Sequence, residues 1–392
     1  MKTITSKNGN IVNIYAETFE YEAYEQIRKL VEFEAYKDSK IRIMPDAHAG
    51  KGCTVGTTIR ITDKVTPNLV GVDIGCGMLT VKLKDKTIDL QKLDSIIADF
   101  IPCGFNVHES KKADFDFSDL ACAKQVDLKR ALLSIGSLGG GNHFIEIEQG
   151  KDGLYLVIHS GSRKLGGDVC KHYQDKAFQN ANEMGKIFKE IAERLKKEGR
   201  QKDIEQEIKN VKKPSADKDL AYLQGVDFDN YMNDMQIVQR YAILNRATMA
   251  NIIIKNYGLR EDSRFETIHN YIDFKRMILR KGAVSAELGE TLLIPINMRD
   301  GSLLCIGKGN EDWNYSAPHG AGRLMSRSRA KQQISMQEFN DSMTDVFSTS
   351  VCLDTLDEAP QAYKTIEEIK NAITDTADIV EVLKPIYNFK AH

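Results

Sequence analysis

The chain has 392 residues, 42% hydrophobic and 28% charged, with a formal net charge of −2. This composition suits a globular protein with a full core, built as one large domain or two to three smaller ones. It lacks the global basic signature of a nucleic-acid binder, so any polyanion site must be a local patch of Arg and Lys. The seven cysteines are scattered with no C-x-x-C pair, which argues against a disulfide framework and a zinc ribbon.

The stretch from Met1 to Asn10 is polar, and no apolar run reaches membrane-spanning length, so no membrane partner is expected and the cytoplasm is the expected compartment. Apolar patterning predicts a strand at Ile11–Tyr15, a helix over Glu20–Tyr36, and strands at Ile41–Met44, Thr54–Ile61, Leu69–Ile74 and Met78–Leu83 around glycine-rich turns. A helix follows at Leu90–Phe100, ended by Pro102 and Gly104, and then a strand at Leu154–His159. From Asp168 to about Val211 the pattern is helical and ends in a charged stretch, Lys186 to Lys213, whose ordinary role is a solvated helix face. Pro214 breaks it, and a second helical region runs from about Asp217 to Tyr257. Strands return at Phe265–Tyr271, Ala283–Glu287, Leu292–Ile296 and Ser302–Ile306, and helices at Met336–Phe347 and Ala362–Ile373. β-rich segments flank the helical stretch on both sides. The expected fold is therefore α+β: one continuous body, residues 1–392, of mixed sheets and helices, with a long helical hairpin inserted over residues 166–257.

Five of the eight histidines, His48, His143, His159, His269 and His319, lie in glycine-rich or turn-like settings. Glycine lets backbone and ligand approach closely, so such histidines are better site candidates than histidines on a helix face. A hydrogen-bonded structural role is the ordinary one for any single member. Asp73 and Cys76 lie in Val70-Gly71-Val72-Asp73-Ile74-Gly75-Cys76-Gly77-Met78, where they can turn toward a common point. Carboxylate, thiolate and imidazole are all ligands for first-row divalent metals, although the pair is equally a buried thiol beside a turn-capping carboxylate. Arg163, Arg280, Lys281, Arg323 and Arg327 stand beside these loops. Arginine forks and glycine-loop N–H groups both suit phosphate. Together with metal ligands they point to phosphoryl or nucleotidyl transfer. No G-x-x-x-x-G-K-[ST] loop is present.

At this point the chain resembles the RtcB-type 3′-phosphate RNA ligase family. The strings that carry the resemblance are Pro45-Asp46-Ala47-His48-Ala49-Gly50-Lys51-Gly52, Val70 to Met78 as above, Gly141-Asn142-His143-Phe144-Ile145-Glu146, His159-Ser160-Gly161-Ser162-Arg163, Arg280-Lys281-Gly282-Ala283, Pro318-His319-Gly320-Ala321-Gly322-Arg323 and Asp357 to Lys364, in the family's order through nearly the whole chain. The resemblance implies a single catalytic body of the family's own α+β type. It makes His319 the nucleophile and maps two metal ions, usually manganese, to Asp73, Cys76, His143, His159 and His269, with Cys76 as bridge. It maps guanylate contacts to Asn142, Glu146, His319, Gly320 and Lys390, and phosphate or RNA contacts to Asp46, Arg163, Lys281, Arg323 and Arg327.

The implied reaction consumes GTP through a histidine–GMP intermediate and joins an RNA 3′-phosphate or 2′,3′-cyclic phosphate to a 5′-hydroxyl, in RNA repair or tRNA splicing. It leaves room for an accessory activator protein. The chain departs from the family at Pro295-Ile296-Asn297-Met298-Arg299, where the usual string is close to P-G-S-M-G, and it ends Phe389-Lys390-Ala391-His392 rather than Lys-Gly. These departures mark a compact, divergent branch. Two other readings use the same residues: a two-metal phosphoesterase, and a non-catalytic RNA-end-binding paralogue.

Overall fold

The computed structural model describes residues 2–7, 9–182, 184–211 and 217–391. Two sheets organise it. One has six strands in the order Lys2–Thr5, Ile11–Ile14, Ile41–His48, Val55–Arg60, Ile278–Lys281 and Asn270–Asp273. The other has seven, in the order Glu261–Ile268, Gly77–Leu83, Leu154–Ser160, Phe144–Gln149, Ala377–Lys390, Gly301–Gly307 and Thr291–Asn297. Within these two sheets the pairing is antiparallel except between Ile11–Ile14 and Ile41–His48. The mixed α+β body expected from the sequence is what the chain forms.

The apolar run Leu69–Ile74, expected as a strand, is not one. Pro67–Leu69 is a 3-10 turn with Pro67 at its start, and the chain then turns through Gly71 (φ 104°) and Gly75 (φ 72°). Leu69, Val70 and Ile74 are fully buried. Burial alone produced the apolar pattern, without strand pairing. The segment from Asp168 to Val211 is also not one helix. It comprises Arg163–Ala181, Met184–Lys197, a 3-10 turn at Gln201–Asp203, and Ile204–Lys209. The break expected at Pro214 lies outside the described residues.

The helix Val226–Tyr257 is built into the body rather than laid along its side. Asp227 and Asp229 in its first turn suit the positive end of the helix dipole, and Gly258 (φ 88°) terminates it in the left-handed conformation. Its first half supplies Tyr231, Met235, Val238 and Tyr241 to the core beside the six-stranded sheet. Its second half supplies Met249, Ala250 and Ile253 to the core under the seven-stranded sheet, shared with Leu93 and Ile97 of the helix Leu90–Phe100. Asp89 caps that shorter helix by accepting from the Lys92 N–H at 3.0 Å.

Between those halves Asn245 and Arg246 are completely buried. Asn245 Oδ1 accepts from the N–H groups of Gly136 and Ser137 at 2.8 and 3.1 Å, and its Nδ2 donates to Gly161 O at 3.1 Å. Arg246 Nη1 donates to Gly75 O and Ser160 O, both at 2.7 Å, and its Nε donates to Glu266 at 2.8 Å. One helix turn therefore ties down three loops that ordinary sheet pairing leaves free. Replacing Asn245 by Ala strands several buried backbone groups, and we expect Asn245→Ala to lose about 2–4 kcal/mol of stability in urea unfolding with an unchanged m value.

Candidate functional site

The three loops held by Asn245 and Arg246 meet at the same end of three inner strands of the seven-stranded sheet, Gly77–Leu83, Leu154–Ser160 and Phe144–Gln149. Register puts His159 opposite both Met78 and Phe144, so Cys76, His143 and His159 meet. Ile268 pairs with Gly77, and the next N–H, that of His269, donates to Cys76 O at 2.9 Å. The side chains follow one another closely. Asp73 Oδ2 lies 2.9 Å from His143 Nε2, which is 3.5 Å from Cys76 Sγ; Cys76 Sγ is 3.3 Å from His159 Nε2, which is 3.4 Å from His269 Nε2. Asp73 Oδ1 accepts from the Ser162 N–H at 3.1 Å. A side chain at Gly161 would place its Cβ 2.1 Å from that oxygen, so glycine is required there.

Protonation favours a cation at this cluster. His143 Nδ1 donates to Leu138 O at 2.8 Å and His159 Nδ1 to Asn142 O at 3.1 Å. In the neutral ring His159 Nε2 is then a lone pair aimed at the cluster, while His143 Nε2 faces the Asp73 carboxylate. Burial first, then the neighbouring charges of His143 and Lys390, holds His159 well below the usual imidazole range. Burial does the same for His269, aided by His319 and His159. Burial and the Asp73 charge push the Cys76 thiol well above its ordinary value, a state that a bound metal reverses by taking the thiolate. For Asp73 burial works upward, but the hydrogen bond and charge of His143 bring it down to about 2. His269 Nδ1 is buried without a partner. Carboxylate, thiolate and imidazole are a donor set that fits a divalent first-row ion, and Cys76, His143 and His159 bring three such atoms within 4.8 Å of one another.

His319 stands beside this cluster, its ring centroid 4.9 Å from that of His269. It follows the short strand Ser316–Pro318, which pairs with Ala283–Ser285. Asp46, 273 residues away and fully buried, accepts through Oδ2 from the His319 backbone N–H at 3.0 Å and from ring Nδ1 at 2.5 Å. A carboxylate only accepts, so Nδ1 carries the proton and Nε2 the lone pair. The loop passes so close to the Asp46 strand that a Cβ at Gly322 (φ 75°) would lie 2.3 Å from Asp46 O. His48 is stacked 6.3 Å from His319, with Nδ1 donating to Asp46 O at 2.9 Å; burial lowers its pKa to about 4.

A cavity of about 540 Å³ opens over these groups, and His159, His269, His319 and Gly320 form one wall. Asn142, Glu146, Glu358, Tyr363 and Lys390 line it further, with Arg323 and Arg327 nearby. Glu146 accepts from Asn388 Nδ2 at 2.5 Å, and burial raises it to about 7; Glu148, buried beside it, is raised further by burial and by the Glu146 charge.

Other expected contacts point elsewhere. Arg163 Nε donates to Ser137 Oγ at 3.1 Å and its Nη2 to Gly104 O at 2.8 Å. Lys281 Nζ donates to Lys51 O at 2.5 Å and Asn68 O at 2.9 Å. Asp46 faces the His319 ring. Sequence reasoning passed over Glu358 and Tyr363, although both stand in the Asp357–Lys364 string.

Comparison with known proteins identifies the family. The family model described as tRNA-splicing ligase RtcB matches residues 26–391. The chain is 30% identical to the RNA-splicing ligase RtcB of Escherichia coli strain K12, over 88% of each chain. It is 26% identical to an RNA-splicing ligase RtcB2 of another E. coli strain, over 88% of this chain and 86% of that one. It is 24% identical to the tRNA-splicing ligase RtcB of Methanococcus maripaludis, over 96% of this chain and 93% of that one. With the family model spanning almost the whole chain and these relatives covered nearly end to end, the protein belongs to the RtcB family of RNA-splicing ligases.

Proposed function

We propose that this protein is a GTP- and manganese-dependent RNA ligase that joins an RNA 3′-phosphate or 2′,3′-cyclic phosphate to a 5′-hydroxyl, in RNA repair or tRNA splicing. The observation that carries the reading is the placement of His319. Its Nδ1 is held by a buried carboxylate at 2.5 Å, its Nε2 is left as a lone pair, and its ring stands 4.9 Å from that of His269. A fixed tautomer beside a metal-competent cluster is what a histidine nucleophile for a phosphate needs.

Asp73, His143, Cys76, His159 and His269 would hold the two proposed ions, with the Cys76 thiolate at the centre of the series. Bound metal would supply charge neutralisation at the phosphate oxygens. His319 Nε2 attacks the α-phosphorus of GTP; the P–N bond forms as the bond to pyrophosphate breaks. The guanylate then passes to the RNA 3′-phosphate, and the 5′-hydroxyl oxygen displaces GMP. Asn142, Glu146, Gly320 and Lys390 are proposed to hold the guanylate, and the more open Arg327 to meet phosphate oxygens, whereas the nitrogens of Arg323 are already taken by Met325 O, Glu358, Tyr363 and Asp357 O. Asp46, Arg163 and Lys281 fit support of the surrounding loops better than direct phosphate contact: Asp46 Oδ2 holds His319, Arg163 Nε and Nη2 are taken by Ser137 and Gly104, and Lys281 Nζ is taken by Lys51 O and Asn68 O. That the 3′ strand brings the phosphate rests on the family resemblance. We read the whole chain as one catalytic domain acting in the cytoplasm, with an accessory activator protein as a further partner. No described helix is long and apolar enough to cross a membrane.

His319→Ala should abolish covalent labelling by α-labelled GTP while metal content stays close to wild type; a labelled His319→Ala protein removes His319 as the nucleophile. Cys76→Ala should lose more manganese, by elemental mass spectrometry of the purified protein, than any single histidine change, because one thiolate serves two ions. An unchanged metal count there returns Cys76 to a packing role. Label placed in an RNA 3′-phosphate should persist in the product as a phosphatase-resistant internal linkage, with no joining of 3′-hydroxyl to 5′-phosphate ends. Release of that label as inorganic phosphate from unjoined RNA identifies a phosphoesterase instead.

A further inference from the structure

Glu358 ends the 3-10 turn Leu353–Glu358 and is 3% exposed. Its two oxygens meet four donors. Oε2 accepts from Lys390 Nζ at 3.0 Å and from the Tyr363 hydroxyl at 2.8 Å; Oε1 faces Arg327 Nη1 at 2.8 Å and Arg323 Nη1 at 3.2 Å. A carboxylate has about four acceptor positions, so this one is saturated. The donors come from the end of the strand Ala377–Lys390, from the stretch after His319 that holds Arg323 and leads into the helix Arg327–Gln333, and from Tyr363 just after the 3-10 turn Pro360–Ala362. Burial would raise this carboxyl, but the charges of Lys390, Arg327 and Arg323 hold it at about 2. Glu358 is therefore held as an anion near neutral pH.

We infer that Glu358 is the positioning residue that fixes the Lys390 ammonium in the cavity wall, and that through Lys390 it sets which nucleobase the cavity accepts. The inference rests on the reading of the cavity as a guanine nucleotide site. An ammonium group only donates. It suits the O6 and N7 acceptors of guanine and opposes the amino group that adenine carries at the equivalent edge. Selectivity of that kind requires the donor to stay in place. Lys390 has little freedom: its side chain is 5% exposed, and its Nζ lies 5.3 Å from the Phe144 ring centroid. Without the Glu358 charge, Lys390, Arg323 and Arg327 repel one another in a buried setting, and the ammonium has no reason to keep its position. The three cations are not equivalent. Arg327 has a side chain 47% exposed against 12% for Arg323, so Arg327 is the one able to turn to a phosphate while Glu358 keeps the other two.

The test uses the full-length protein with Mn²⁺ and measures the kcat/KM of covalent labelling from α-labelled GTP and α-labelled ATP. Losing a charged hydrogen bond of this kind corresponds to about tenfold or more, so Glu358→Gln should shrink the GTP-to-ATP ratio by at least about tenfold. Lys390→Met should shrink it as far, and the double variant no further than either single change, because both act on one contact. A labelled wild type with an unaltered ratio in Glu358→Gln overturns this inference alone, even if that variant melts earlier. Multiplying losses in the double variant overturn it as well. If Glu358→Gln does not fold, Glu358→Asp, which keeps the charge but draws it back from Lys390 by one methylene, replaces it: a reduced ratio supports the inference, and an unaltered one overturns it. Wild-type protein that takes label from neither nucleotide overturns the guanine-nucleotide reading and this inference with it.

Discussion

The pairing of Met78, His159 and Phe144 across three neighbouring strands is the constraint on which the site depends. Side chains alternate between faces of a strand, so a slip of one residue at either pairing would carry His159 to the opposite face and separate it from Cys76. The sheet resists such a slip because it is buried on both sides: Leu79, Val81, Leu156 and Ile158 lie in the core against the long helix, while Met78, Val157 and Leu293 pack on the other side. The metal-competent cluster is a by-product of that packing, since His159 sits in the last pairs of its strand while Cys76, His143 and His269 stand just outside the ends of theirs. Asn245 and Arg246 then anchor the loop ends that pairing does not reach.

The second organising fact is how charge is distributed around the cavity. Groups that must offer a lone pair are kept neutral by burial, as with His159 and His269. Groups that must stay ionised are surrounded by opposite charge, as with Glu358 among Lys390, Arg327 and Arg323. Glu146 lies between these cases: burial brings it to about 7 in spite of Asn388 and Lys390. A net charge of −2 for the whole chain is thus compatible with a locally cationic wall, because Lys390, Arg323 and Arg327 are gathered at the buried Glu358.

Much of this was legible in the sequence because chemistry and glycine coincide there. Asp73, Cys76, His143, His159 and His269 each lie beside turns whose residue types are unusual outside a site, and the structure brings all five together. Other elements were hidden for identifiable reasons. The strand Phe144–Gln149 alternates apolar residues with Glu146 and Glu148, a pattern that reads as half-exposed although both acids are buried. The strand Ala377–Lys390 contains Pro385 and shifts register beside it. The run Leu69–Ile74 read as a strand because an apolar sequence reports burial and not pairing. The pairing of Asp46 with His319 had no local signature: its partners are far apart in the chain, and an Asp next to Pro45 in an Ala-His string resembles an exposed loop acid. Its unsatisfied Oδ1 and full burial are visible only in three dimensions.

The departure at Pro295–Arg299 can now be placed in physical terms. The strands Thr291–Asn297 and Gly301–Gly307 pair irregularly between Pro295 and Asn297. Asn297 spends its polar groups on the turn itself: Oδ1 accepts from the N–H groups of Arg299 and Asp300 at 3.0 and 2.9 Å, and Nδ2 donates to Asp300 at 2.9 Å. Arg299 is paired with Asp300 at 2.9 Å. The polar residues that distinguish this segment are therefore satisfied within the hairpin, and Pro295, Ile296 and Met298 present mainly apolar surface to the cavity. A wall of that kind contributes area but little directional preference. Discrimination among ligands then falls to the remaining polar lining, Asn142, Glu146, Glu358 and Lys390, in which Glu146 is held by Asn388 and Lys390 by Glu358.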